Sequence, residues 1–328
     1  EALAKMNVIR ILAEVEIAYW RLEAAQRELI IHENQLKLAE TQLANAEKLI
    51  EAGLFTKAER IRANAGLLAR KETLVVARTA VRLNERELKR LMQLPDLPVD
   101  SSNAIICETD WMPLRIKLEP NEIVDRAITN RMDLASLQIQ ILLTDINIKL
   151  AKNSLYPNLD LKMSYTRLGQ ALTQNQALRN LYGSNRSLDD YTIGASIAYP
   201  LGNRQSKAYI ETTKLEKLKI LSSKKDLEIQ IRKEVLDAVD KMERDWNRII
   251  AAMDAAKGAM EAYKAEVEQN FAGRRTSTEV LEASQNLAEA EYRVVRALAD
   301  YAISKVYIAL STGTMLGYGG IIWKPVKE

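Results

Sequence analysis

Cysteine and histidine are almost missing from this 328-residue chain, which has one of each, Cys107 and His32. No intrachain disulfide can form, and neither a histidine-built metal site nor a catalytic triad is to be expected within one chain. Phenylalanine occurs twice, proline 7 times and glycine 12 times. The chain is instead dominated by Ala, Leu, Glu, Lys and Arg, a composition of long helices rather than of a compact mixed core. Lys and Arg total 47 against 44 acidic residues, a net charge of +3, so the surplus that a nucleic-acid surface needs is lacking. No stretch reaches the roughly 18 apolar residues of a membrane helix. No nucleotide loop, metal-ligand cluster or nucleophile motif appears, so neither an enzyme nor a bound cofactor is expected. No signal peptide opens the chain, and Glu1-Ala-Leu-Ala-Lys5 reads as the middle of a helix. The expectation is that further residues precede it.

What is present is a seven-residue rhythm. Val8, Val15, Leu22, Leu29, Leu36, Leu43 and Ile50 form one row, and Ile11, Ala18, Ala25, His32, Ala39 and Ala46 a second. Together they are the two core positions of a coiled-coil seam, with small residues that let a partner helix approach closely. At about 1.5 Å per residue this helix is on the order of 70 Å long. A second helix is expected from about Thr56 to Leu94 and a third from Asn121 to Pro157. A fourth runs from beyond Asn203 to Phe271 on the seam Val235, Val239, Met242, Trp246, Ile249, Met253, Ala256, Met260, Tyr263, Val267, and a fifth from Thr276 to Thr312. Residues 95–120 contain four prolines and read as irregular with a short strand.

The corners between helices are duplicated. "AGLFTKAE" at 52–59 and "AGRRTSTE" at 272–279 place glycine, threonine and glutamate at the same spacing. Gly53 and Gly273 suit the left-handed end of an incoming helix. Thr56 with Glu59, and Thr276 with Glu279, read as capping boxes that start the outgoing one. Ala63 matches Ala283 and Leu67 matches Leu287 in the same register, so the chain holds two long antiparallel hairpins with tips of one design.

Between them the period changes to two. Leu159, Leu161, Met163 and Tyr165 alternate with Asp160, Lys162, Ser164 and Thr166; Tyr191, Ile193, Ala195, Ile197 and Tyr199 alternate with small or polar residues. These are strands with one apolar face, close to the roughly 9–11 residues that cross a bilayer, with tyrosines near their ends. A polar loop is expected over 169–190. The plainer alternative is a hairpin on a soluble domain. In lipid the open edges of such strands would be unsatisfied, and several chains around an axis would be needed to close a barrel.

At this point the sequence resembles the outer membrane efflux protein family, the TolC-like outer membrane factors. "AITNRMDLASLQIQILLTDINIKLAKNSLYPNLDLKMSYT" is similar to the family's second-repeat start, with Met132 in place of a usual proline. "IGASIAYPLGNRQSKAYI" is similar to its strand exit, "AGRRTSTEVLEASQNLAEAEY" to its second periplasmic tip and "EIAYWRLEAAQREL" to its first descending helix. The resemblance covers almost the whole chain. It implies a mainly α fold with a membrane β-hairpin. Long antiparallel coiled-coil hairpins would form an α-barrel, and the strands would contribute to a trimeric transmembrane β-barrel. It divides the chain into a first periplasmic hairpin (1–94), an equatorial segment (95–120), a second-repeat helix (121–156), the outer-membrane β-hairpin (157–201), a second periplasmic hairpin (202–313) and an equatorial tail (314–328). The function implied is a passive exit duct in the Gram-negative outer membrane, a homotrimer in contact with outer-membrane lipid. It would work with a periplasmic adaptor (a membrane fusion protein) and an inner-membrane pump.

The resemblance also assigns residues. Glu279 and Glu282 match acidic constriction positions, which a trimer would repeat as carboxylate rings. Arg275 and Glu59 match members of a network that holds the tip closed. Asn270, beside Phe271, stands where the family's best-known member has a tyrosine, so these links carry over only in part. Gly53, Leu54 and Gly273 lie at the tips where an adaptor would dock. Simpler readings stand beside these: capping alone for Glu59 and Glu279, a solvated face for Glu282, an exposed turn for Arg275. His32 reads as a packed seam residue, Cys107 as an apolar filler and Trp246 as part of the seam. A soluble coiled-coil scaffold and a periplasmic adaptor are the competing functions.

Overall fold

The structure is a computed structural model and describes residues 2–53, 56–109, 111, 113–183, 187–272 and 274–321. The elements are α1 (Ala2–Glu51), α2 (Lys57–Met92), α3 (Pro120–Asn130), α4 (Met132–Asn153), β1 (Asn158–Gly169), α5 (Gln174–Tyr182), β2 (Ser187–Ala198), α6 (Arg204–Phe271), α7 (Ser277–Ser311) and α8 (Met315–Tyr318). They divide into two units, 1–135 with 227–328, and 136–226.

In the first unit α1 packs against α2 and α7, and the alanine row is what it buries: Ala18, Ala25, Ala39 and Ala46 are all inside. Small side chains on one helix let the backbone of the next come close, as the heptad pattern predicts. Buried alanines on α7, including Ala288, Ala290, Ala297 and Ala309, extend the same logic. The α6 seam meets α7 through Met242, Ile249, Ala297 and Tyr301, with Trp246 beside Tyr301. Of the predicted seam residues, Ile11 of α1 and Met253 of α6 are left exposed.

The single helix expected over 121–157 is two helices. Arg131 sits between α3 and α4 in an extended conformation. Its guanidinium binds both oxygens of Asp133, Glu234 of α6 at 2.8 Å and the Ser311 carbonyl at 3.2 Å. That set of partners across three elements holds the break, and it lies at the wall of a cavity of about 780 Å³. α3 then packs Ile123, Val124 and Ala127 on Ile231 and Val235 of α6.

Among the described residues of 93–119 there is no strand. Side chains satisfy this backbone instead of a neighbouring strand. Gln26 donates to the Ile105 carbonyl (2.6 Å) and accepts from the Cys107 N–H (3.1 Å). The buried Lys89 ammonium binds the carbonyls of Ser101 and Asn103 and the Glu85 carboxylate. The Tyr301 hydroxyl donates to Leu114 at 2.7 Å, and Arg27 lies over the Trp111 ring. Cys107 packs beside the cluster of Ala18, Leu22 and Leu88, and burial, with Glu23 nearby, pushes its thiol up to about 11. It is an inert filler.

In the second unit β1 and β2 pair antiparallel, Asn158 opposite Ala198 through Gly169 opposite Ser187. One face carries four apolar pairs in succession: Leu159–Ile197, Leu161–Ala195, Met163–Ile193 and Tyr165–Tyr191, the two tyrosine rings 4.8 Å apart. The next pair on that face is an ion pair, Arg167 with Asp189. The other face is polar over Asp160, Lys162, Ser164 and Thr166 and carries one apolar pair, Leu168–Leu188, at its far end. Seven of the eight residues in the four apolar pairs are at least half exposed, and Ala195 is exposed too. The connection expected as a polar loop contains α5, and β2 starts at Ser187, before the expected strand. α5 lies so close to β1 that a Cβ on Gly169 would overlap the Ala177 carbonyl oxygen. At the other end, the positive φ of Gly202 and Asn203 turns the chain into α6. The Ser206 hydroxyl bonds the Ser154 carbonyl at 3.1 Å, and Lys217 pairs with Asp145 at 2.6 Å. These bonds fasten α6 to α4.

Candidate functional site

The hairpin tips of the first unit gather the predicted residues. α1 ends when Ala52 and Gly53 donate to the carbonyls of Lys48 and Ile50, with Gly53 left-handed at φ +75°. Leu54 and Gly273, the other predicted tip residues, lie outside the described residues. α6 ends with Ala272 bonded to Glu268, and the Arg274 N–H reaches back to Gln269.

The start of α7 is capped as its sequence predicts. The Thr276 N–H donates to Glu279 Oε2 at 2.7 Å, and the Thr276 hydroxyl contacts the same oxygen. The other Glu279 oxygen accepts from Arg275. Arg275 also binds Gln269 at 3.0 Å and pairs with Glu266 at 3.4 Å, while Asn270 holds the Arg275 carbonyl at 2.9 Å. The Thr276 amide and then Arg275 hold the Glu279 carboxyl below its ordinary range, and Glu279 raises the Arg275 guanidinium.

The first corner differs from its twin. Thr56 is the N-cap of α2 but its side chain makes no capping bond, and Glu59 does not turn back to close a box. Glu59 Oε2 accepts from the Ser277 N–H at 3.2 Å, while Oε1 accepts from Arg62 at 2.9 Å. Neighbouring amides of one helix start are therefore capped by two glutamates: Glu279 from within α7 and Glu59 from the other hairpin. Negative charge there is favoured by the helix dipole. The sequence hid this because the spacing Thr-x-x-Glu looks the same whether the glutamate closes its own box or reaches a neighbour.

The structure thus brings Glu59, Arg275 and Glu279 together. Glu282 lies one turn further along α7, exposed, with no ion-pair or hydrogen-bond partner among the described residues. Glu266, Gln269 and Ser277 join the network without having been singled out. The one available signal was that an arginine in so tight a corner can reach back onto the last turns of the helix it leaves.

Behind the tips is a cavity of about 240 Å³ lined by Ala46, Ala63, Tyr263, Phe271, Val280 and Leu281. Beside it Gly66 lets α2 touch α7: a Cβ there would meet Leu281 at 3.1 Å. Further from the tip α1 and α7 are joined by a row of polar contacts, Gln35–Ser284 at 2.7 Å, His32–Tyr292 at 2.9 Å and Glu28–Arg296 at 2.7 Å. Burial lowers the His32 imidazole and pushes the Tyr292 hydroxyl up to about 12. His32 is a packed seam residue held by Tyr292.

Two long helical hairpins with facing tips, in a chain that also carries a two-faced β-hairpin, define the protomer fold of outer-membrane channels. The chain aligns with the outer-membrane channel VceC of Vibrio cholerae at a TM-score of 0.75 over 95% of its length and 72% of that chain, with 17% identity. It aligns with the CmeC outer membrane channel of Campylobacter jejuni at 0.78 over 95% and 64%, with 16% identity. Outer membrane protein TolC of Vibrio cholerae is 26% identical over 200 residues, 59% of this chain and 43% of the relative. The chain thus spans less than half the length of that curated relative. Residues 123–314 match the family described as outer membrane efflux protein. The chain belongs to that family, and its place is the outer membrane, extending into the periplasm.

Proposed function

We propose that the chain supplies one of three identical subunits to a passive exit duct of a tripartite efflux or type I secretion system. The observation that carries this reading is the β-hairpin: four successive apolar pairs on one face, left exposed, opposite a polar face. A soluble scaffold gives no account of such a stripe. A shared barrel does, because lipid covers the outer face, water the inner one, and neighbouring strands the edges. From Tyr191 to Tyr199 the ribbon covers about 26 Å at ~3.3 Å per residue, close to the ~25 Å apolar band of such barrels with its aromatic girdles.

In this reading the helical hairpins, 1–94 and 202–313, line up as an α-barrel across the periplasm. Residues 95–120 and 314–328 form an equatorial belt, and 121–156 leads up to the strands of 157–201. The tips Gly53, Leu54 and Gly273 receive a periplasmic adaptor, and an inner-membrane pump supplies the energy. Arg275 and Glu59 hold the tip closed. Glu279 and Glu282 form carboxylate rings that favour cations at the constriction.

Native mass spectrometry of the purified protein tests the assembly. A trimer that disperses only in detergent is expected. A monodisperse, water-soluble single subunit would overturn the reading.

A further inference from the structure

We propose that the base of the β-hairpin carries a basic collar that binds the phosphates of anionic phospholipids in the adjoining leaflet. The proposal rests on the membrane reading of β1 and β2 given above and goes beyond it by naming the lipid chemistry selected. The two ends of the ribbon differ in charge. At the far end Arg167 is accompanied by Asp189 and Asp190. At the base, residues 146–157 and 199–210 contain Lys149, Lys152, Arg204 and Lys207 and no acidic residue at all.

These four residues are held in one place. Ser206 is bonded to Ser154, and the buried Asn203 side chain points to the carbonyls of Ser154 and Leu155. The end of α4 and the start of α6 are thereby fastened directly beneath the first strand pair, Asn158 with Ala198. All four basic side chains are exposed, and none has an ion-pair or hydrogen-bond partner among the described residues.

Lys152, in the last turn of α4, suits the dipole of that helix; the rest of the arrangement has no such local account. Lys149 and Lys152, and likewise Arg204 and Lys207, are like charges three residues apart on one helix face, a repulsive spacing. Arg204 and Lys207 also occupy the first turn of α6, where the helix dipole disfavours cations and where no acidic residue compensates. An external anion resolves both conflicts. Tyr156 and Tyr199, both exposed at this same end, are the residue type whose rings gather at headgroup depth. The collar lies just beyond them, where lipid phosphates are. Basic clusters at such a surface gain attraction that salt screens.

The test is flotation of the full chain with vesicles of phosphatidylcholine alone or of phosphatidylcholine mixed with phosphatidylglycerol, at low and at high salt. A variant carrying Lys149→Gln, Lys152→Gln, Arg204→Gln and Lys207→Gln is run beside it. The wild type should prefer the anionic vesicles by about tenfold or more at low salt, with the preference fading at high salt. The variant should insert into phosphatidylcholine as the wild type does and show no preference. The salt response of the wild type stands without the variant, should the variant fold poorly. Equal binding of the wild type to both vesicles, or a preference that survives in a folded variant, overturns the collar and leaves the membrane reading intact. Protease cleavage of the hairpin in both kinds of vesicle would show that it enters neither, and the membrane reading would fall together with the collar.

Discussion

Glu59 of α2 accepts a hydrogen bond from the backbone N–H of Ser277, the first residue of α7, across 218 positions of sequence. One helical hairpin thus caps a helix of the other. Replacing Glu59 with alanine removes this cap and the contact with Arg62. The expected loss is about 1 kcal/mol, the usual scale for an N-terminal cap. It should appear as a lower Tm and as faster hydrogen exchange at the Ser277 amide. Exchange unchanged at that amide would show that the bond contributes nothing in solution.

Gate function makes a separable prediction. Glu279 is tied up by Thr276 and Arg275, whereas Glu282 has no partner among the described residues. Glu282→Gln should therefore weaken cation selectivity in planar-bilayer recordings more than Glu279→Gln does, and the double variant should also lose block by polyvalent cations. Arg275→Ser should raise conductance by loosening the closed tip. Acid should do the same: the Glu279 carboxyl is depressed in the folded protein, so its contribution is complete above the ordinary 4.5 and lost as pH falls through its lower folded value. Conductance that stays flat on acidification below 4.5 would remove Glu279 from the closing network.

Arg131 fastens the break between α3 and α4. Its partners Asp133 and Glu234 and the Ser311 carbonyl lie on three elements. Arg131→Leu should lower stability by about 2 kcal/mol, because Asp133 keeps the Leu134 N–H but loses its ion pair, and the Glu234 and Ser311 contacts are lost. Arg131→Lys should recover only part of this, since an ammonium cannot match the bidentate contact. Thermal unfolding of the two variants decides the matter.

His32 gives the α1–α7 interface a defined pH response. Burial, reinforced by Arg70 and Arg296 and opposed by Glu28, lowers its folded value below 6.5. Above 6.5 both folded and unfolded chains hold it neutral and nothing is lost. Below 6.5 the unfolded chain takes up a proton that the folded one resists, so stability falls until the folded value is reached. His32→Gln should flatten this part of the stability-versus-pH curve. A slope that persists in the variant would assign it to other groups.

The long helices and both strands were legible because their periods, seven and two, are strong and uninterrupted. The alanine row of α1 even showed which face would pack. Three features were not legible, for a common reason: each depends on partners far away in sequence. The break at Arg131 follows from Glu234 and Ser311. That the described residues of 93–119 hold no strand, although the sequence reads as irregular chain with a short strand, follows from Gln26, Lys89 and Tyr301, which serve this backbone instead. The destination of Glu59 follows from Ser277. α5 was missed although Ala177, Leu178, Leu181 and Tyr182 fall on one helical face; nine residues set among Asn, Gln, Ser and Gly read as a loop.

The ribbon of β1 and β2 has a bearing on biogenesis. Its two outer margins present backbone donors and acceptors that hydrocarbon cannot serve. In the proposed duct a solitary ribbon would leave these groups unmet in hydrocarbon, so entry and oligomerisation would be coupled. A copy awaiting its siblings would then need its greasy stripe shielded on the aqueous side by some other means.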